Sequence, residues 1–206
     1  MSMRVRYNAP VVLTFTLIAV AMQIVSTLTG GVVTALLATA PGTFSPATPI
    51  QYLGIVTHIV GHGSWSHLAG NFMFILLLGP LLEERHGSGA LLQMIIVTAA
   101  VTGVLNAVLF DNGLVGASGI VFMFILLGSM SNLKRGEIPL TFLLVAVIFI
   151  GRELVDIFKF DQTSQFAHIL GGLMGAGFGY IRGHKQLSAP EVAVLDKPGS
   201  APTNPA

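Results

Sequence analysis

The sequence predicts an all-α protein, a polytopic membrane bundle of six transmembrane helices. Three observations predict it. Only 9% of the 206 residues are charged and 53% are hydrophobic, whereas a soluble domain of this size carries roughly a quarter charged residues. The mean hydropathy is +0.80, so most of the surface must face something other than water. Finally, the apolar residues gather at about 11–37, 52–82, 91–110, 115–133, 138–157 and 164–182. Most of these stretches approach or exceed the ~20 residues that cross ~30 Å of hydrocarbon as helix. Helix is required because an unclosed sheet leaves backbone groups unpaired in lipid, and no two-residue alternation suggests a barrel.

The first stretch follows a basic start, "MSMRVRYNAP", and runs into "LATA" at 37–40, which has the form of a signal-peptidase site. It is longer than the 7–15 residues of a signal core, which predicts a retained helix. Residues 38–51, "ATAPGTFSPATPIQ", form an outer loop before the second stretch, and Trp65 in "HGSWSH" marks a helix start where an indole anchors at the headgroup boundary. After the sixth stretch, "QLSAPEVAVLDKPGSAPTNPA" is Pro-rich and has no apolar period, which predicts disorder. The chain therefore divides into a membrane domain, 1–185, and a disordered cytoplasmic tail, 186–206, with no internal repeat.

Six spans put both ends on one side. That side collects Arg4, Arg6, Arg85, Lys134, Arg135, Arg182, Lys185 and Lys197, while the other has Arg152 and Lys159. By the positive-inside rule both termini are cytoplasmic, in a multi-pass protein of the cell (inner) membrane. A net charge of +1 gives no reason to expect a nucleic-acid partner. The absence of cysteine excludes disulfides and thiolate metal ligands.

Within these apolar stretches several polar residues stand out. Taken singly, Ser118 in "GASG" reads as a helix serine bonding back to a carbonyl one turn earlier. His67, Asn71 and His168 are costlier at depth, where such groups face a bundle interior or a wet cavity. Asn71 lies 14 residues before Arg85, Ser118 lies 16 before Lys134, and His168 lies 14 before Arg182. At 1.5 Å per residue these distances are ~21 to ~24 Å. The second, fourth and sixth spans run the same way, so the three groups share one level, roughly 10 Å below the outer edge of the hydrocarbon. His67 stands one turn above Asn71 on the same face.

His168, Gly171, Gly175 and Gly179 fall at i, i+3, i+7 and i+11. Alone, such a stripe reads as packing; here it would let the histidine's helix touch a neighbour backbone to backbone. Gly116 and Gly119 permit a tight start to the fourth helix, leaving Ser118 near free amide donors and the positive end of the dipole. A serine is a weak nucleophile until a base takes its proton, and His168 is the candidate base. His67, Asn71 and the Ser118 amide are candidates to hold the oxyanion. Glu153 and Asp156 fall near the outer end of the fifth span, and Glu83 and Glu84 at a cytoplasmic end, so a Ser118–His168 dyad is predicted.

The motifs "HGSWSHLAGN", "GASG" and "AHILGG", in this order, resemble the rhomboid family of intramembrane serine proteases from about Thr57 to Tyr180. The resemblance implies that Ser118 is the nucleophile, His168 the general base, and His67 and Asn71 the oxyanion-stabilising pair. Gly116, Gly119 and Phe122 would support them. His58 and His62 match histidines that often precede the motif, and "EERHGSG" at 83–89 matches the turn after the second span. Two positions depart from the family pattern. Phe122 stands where a tyrosine is common, and Leu53 and Gly54 stand where a Trp-Arg pair is common. The implied activity is serine endopeptidase cleavage of transmembrane protein substrates near the outer face, without cofactor or metal, at a site open to the outer side.

Rival readings are weaker on the residues. An H-E-x-x-H metal site needs a glutamate where Ile59 stands. An aspartyl protease needs two aspartates at depth, but Asp111, Asp156 and Asp161 all fall near the outer surface. A rhomboid-like client-binding protein without activity typically lacks the serine or the histidine, and both are here. A transporter would show paired broken spans in corresponding halves, which this chain does not.

Overall fold

A computed structural model describes residues 7–39, 47–132 and 162–187, with scattered positions between 140 and 151. Most of the fifth apolar stretch lies outside the described residues, as do Glu153, Asp156 and the chain beyond Leu187. All regular structure among the described residues is helical. The order is α1 (Pro10–Leu28), α2 (Val32–Leu37), α3 (Pro49–Thr57), α4 (Trp65–His86), α5 (Ser88–Leu109), α6 (Ser118–Asn132) and α7 (Gln162–Leu187). Of these, α1, α4 and α5 are long and apolar enough to cross a membrane, and α6 is a shorter apolar helix.

Two of the apolar stretches prove to be broken. The first ends its helix at Leu28 because Gly30 and Gly31 take positive φ, 63° and 92°, which reverses the chain into α2. The Gly31 amide closes the turn on the Ser26 carbonyl at 2.8 Å. The second stretch is interrupted at 58–64, between α3 and α4. There Ser64 caps α4, its Oγ accepting from the His67 amide at 3.1 Å, and Trp65 begins the helix 47% exposed.

The core is built around α6. Ile120, Val121, Met123, Phe124, Ile125 and Leu127 are all buried, as expected of a helix that is hydrophobic all round. The surrounding helices turn large apolar side chains outward instead, among them Leu17, Leu77, Leu81 and Val108. Helix α7 packs on α6 through its glycines. A Cβ on Gly171 would overlap the Gly119 carbonyl oxygen and lie 2.9 Å from the Gly119 Cα. On Gly175 it would overlap the Met123 oxygen, and on Gly179 the Met130 side chain. At Gly171 and Gly175 the two backbones touch without intervening side chains, the close approach that small residues allow.

A buried carboxylate ties α1 to α4. Pro10 occupies the start of α1, where the first amides have no intrahelical acceptor. Glu83, 4% exposed, supplies one from the last turn of α4. Its Oε1 accepts from the Val11 amide at 2.9 Å and from Ser88 Oγ at 2.7 Å, and its Oε2 accepts from the Val12 amide at 3.0 Å. The positive end of the α1 dipole favours the same charge.

Two stability predictions follow from these contacts. Glu83→Gln turns an acceptor oxygen into an NH2 group facing a backbone N–H. It should cost about 1.5–3 kcal/mol in equilibrium unfolding in mixed micelles, and stability equal to wild type would remove the fork from the account. For the glycines, Gly171→Ala should destabilise by about 1–3 kcal/mol through overpacking. Gly172→Ala meets Leu126 only at an ordinary 3.7 Å and should be neutral or gain up to about 1 kcal/mol. The same sign and size at both positions would contradict the backbone contact.

Candidate active site

Ser118 sits at the start of α6, and the chain before it is held by hydrogen bonds rather than by helix. From α5, Asn106 donates through Nδ2 to Thr39 Oγ1 at 2.8 Å and to the Asn112 carbonyl at 3.0 Å. Thr39 pairs with Leu114 in both directions. Its Oγ1 accepts from the Leu114 amide at 2.6 Å, and its own amide donates to the Leu114 carbonyl at 3.0 Å. The next tie is the Gly116 amide to the His58 carbonyl, 2.9 Å. Thus the 110–117 segment is bound to α5, to Thr39 beyond α2 and to the 58–64 turn before it enters α6.

His58 is fixed in turn. Its Nδ1 lies 3.1 Å from the Gly54 carbonyl and its Nε2 lies 3.4 Å from Thr102 Oγ1. A carbonyl only accepts, so Nδ1 carries the proton. This use of both ring nitrogens gives His58 a structural role in holding the 116 turn. Among the described residues no three His, Cys, Asp or Glu side chains gather as a metal site.

Gly116 meets two demands at once. Its φ of +124° is one that L side chains rarely adopt, and a Cβ there would lie 2.7 Å from His67 Cε1 and 2.8 Å from Nε2. The His67 ring therefore rests on the turn two residues before Ser118. Asn71, one helical turn below His67 on α4, is buried and brings its Nδ2 within 3.7 Å of the same point. That Nδ2 has no hydrogen-bond partner among the described residues, so its donors are aimed at the turn without being used there. Ala117 is the first α6 carbonyl acceptor, bonded by the amides of Ile120 at 2.9 Å and Val121 at 3.0 Å. The Ser118 and Gly119 amides precede that ladder, and Ser118 itself is only half-buried.

His168 comes from α7, one turn above the Gly171 contact with Gly119. Its ring stacks on Phe122, centroids 4.6 Å apart and planes at 15°. Phe122 is one turn after Ser118 on α6. A Cβ on Gly119 would lie 3.3 Å from the Ala167 carbonyl, so the residue beside the serine and the residue beside the histidine are in contact. The structure thus gathers Ser118, His168, His67 and Asn71 around the N-terminal end of α6, with Gly116, Gly119 and Phe122 between them. Glu83 and Glu84 lie at the other end of α4 and take no part, and Asp111 is exposed.

Thr39, Thr102 and Asn106 brace the chain that leads to Ser118 and were not among the residues expected from the sequence. Thr98, Thr102 and Asn106 fall at i, i+4 and i+8 inside an apolar stretch and are all buried. That stripe was the signal available.

Comparison with known proteins identifies the family. A family profile described as "Rhomboid domain" matches residues 49–185, from the start of α3 to the last turn of α7. The curated protein "Rhomboid protease GlpG" of Haemophilus influenzae (strain ATCC 51907 / DSM 11121 / KW20 / Rd) is 23% identical over 129 residues, 61% of this chain and 67% of that one. With that profile covering most of its length and three of its described helices long and apolar enough to cross a bilayer, the chain is a membrane protein that belongs to the rhomboid family.

Proposed function

We propose that this protein is an intramembrane serine endopeptidase that cuts transmembrane segments of membrane-protein substrates near the outer face of the bilayer. Ser118 is the nucleophile and His168 its base. The single observation that carries the reading is the stacking of His168 on Phe122, which puts an imidazole on the helix face one turn from the serine. The name and 23% identity of the Haemophilus relative support the same class of chemistry. The orientation proposed with it has both termini cytoplasmic, six spans, and the site opening to the outer side, in line with the distribution of Lys and Arg. The membrane domain is 1–185, and the remainder is a cytoplasmic tail.

In the proposed reaction His168 takes the Ser118 proton as Oγ attacks the scissile carbonyl carbon. The oxygen that becomes negative is held by the Ser118 amide with His67 and Asn71, each such donor being worth ~2.7–4 kcal/mol in comparable sites. The C–N bond then breaks, and His168 passes its proton to the departing amine. An acyl group on Ser118 remains for water to remove. Because a helical substrate hides its carbonyls in hydrogen bonds, the cut segment must unwind locally. Residues that destabilise helix near the outer boundary therefore mark its substrates.

Purified wild type, Ser118→Ala and His168→Ala, incubated with single-span substrates in liposomes, test the assignment. Each substitution should lower cleavage at least about 10³-fold, and equal cleavage by all three would overturn it. A second test concerns the ring under the base. Phe122→Ala should reduce kcat about tenfold by freeing the imidazole, while Phe122→Tyr, which keeps the ring, should stay within about threefold. Equal rates for alanine and tyrosine would show that stacking does not orient His168.

A further inference from the structure

A groove of about 450 Å³ opens between the end of α1, α2 and the 58–64 turn, within the ~300–1,000 Å³ range of small-ligand sites. Its polar lining comes from Gln23, Ser26, Thr27, Thr34 and His62, and the remainder is glycine and alanine. No lysine, arginine or carboxylate lines it. It also lies at the carbonyl end of α1, where the helix dipole disfavours an anion. A phosphate is therefore a poor match for this lining.

The hydrogens of its hydroxyl groups are already donated within the protein. Thr34 Oγ1 donates to the His62 carbonyl at 3.1 Å, so the 2.7 Å contact between Ser26 Oγ and Thr34 Oγ1 is donated by Ser26. Thr27 Oγ1 donates to the Gln23 carbonyl at 2.8 Å. What these three oxygens still offer is lone pairs. Gln23, 6% exposed, adds an Oε1 with no partner among the described residues, and neither ring nitrogen of His62, 1% exposed, has one there. In either neutral tautomer that imidazole presents one lone pair and one N–H. The groove thus calls for several donors and at least one acceptor, and buried atoms of this kind are costly to leave unmet. An ammonium group only donates and would leave the His62 N–H without a partner. Hydroxyl groups both give and take.

Beside this polar lining stands an apolar rim. Leu28, Val32 and Leu36 each follow a lining residue, Thr27, Gly31 and Ala35, by one position, and they are 81%, 56% and 55% exposed. A ligand with hydroxyls at one end and hydrocarbon at the other meets both surfaces. A glycerol headgroup carried on a phosphate would bring a charge for which the groove has no cation. We propose that the groove binds the neutral sugar headgroup of a membrane glycolipid. The sugar hydroxyls donate to Gln23 Oε1 and to the Ser26, Thr27 and Thr34 oxygens and accept from His62, while the acyl chains lie along Leu28, Val32 and Leu36. This site is independent of the serine-protease reading.

The test uses the full chain in nanodiscs of phosphatidylcholine, whose headgroup has no O–H or N–H to donate, doped with a monoglucosyl diacylglycerol that carries a diazirine on its sugar. On irradiation the label should map to 26–38 and 61–63 in wild type and in Ala35→Ser. Ala35→Phe, which fills the groove from its exposed lip, should lower that labelling at least fivefold. Gln23→Leu removes one acceptor at similar size and should lower it about fivefold, as the loss of one hydrogen bond does. Circular dichroism of each variant checks that the helices are kept, and either variant alone decides the outcome if the other fails to fold. Unlabelled glycolipid in excess should displace the label. Equal displacement by a diacylglycerol without sugar, or by free glucose, overturns the glycolipid assignment. Label spread evenly over all the helices, or undiminished in a folded Ala35→Phe or Gln23→Leu, overturns the groove as its site. No cleavage is measured, so the result stands whether or not Ser118 cuts peptides.

Discussion

The approach of two helix backbones at Gly119 and Gly171 is the contact on which the rest of the site depends. It leaves no space for even one methyl group, so the axial register of α7 against α6 is set by backbone shape rather than by adaptable side chains. Register decides what faces what. With Gly171 on Gly119, His168 falls over Phe122 and Ala167 falls beside Gly119. A slide by one residue would rotate the imidazole about 100° around α7, given 3.6 residues per turn. Lipid supplies little hydrophobic force to press two apolar helices together, so close packing of small residues has to do that work.

The remaining parts of the site are aligned to this pair through polar bonds made inside an apolar body. In such surroundings an unmet donor or acceptor is expensive, which makes each satisfied one directional. The Asn106–Thr39–Leu114 bonds and the His58–Gly116 bond hold the non-helical chain before Ser118 from two sides. At the opposite end, Glu83 binds the first amides of α1. That fork fixes α1 against α4, the helix that carries His67 and Asn71 toward the serine.

Much of this was legible in the sequence, for identifiable reasons. Hydropathy marks α1, α4 and α5 because burial in lipid is a property of composition over a window. It passes over the breaks at Gly30–Gly31 and 58–64, since a reversal costs only two or three residues of polarity. The glycine stripe below His168 was visible because helical spacing is regular, and the special backbone at Gly116 was visible because glycine is the residue that tolerates it. The Asn106–Thr39 bond joins residues 67 apart, and nothing local in either position announces the other. Glu83 looked like one more charge at a membrane boundary because its partners are backbone amides, which have no letter of their own in a sequence.

Phe122 shows how a departure from the family pattern is absorbed. A tyrosine there would offer the candidate base both a flat ring and a hydroxyl. This chain keeps only the ring, and the ring lies nearly parallel to His168, at 15°. Parallel stacking orients an imidazole plane but leaves its rotation within that plane to other contacts. The helix that carries the imidazole is itself held to α6 by backbone contact at Gly171 and Gly175. With a ring but no hydroxyl at Phe122, the placing of the candidate base therefore depends on how tightly its helix is fixed.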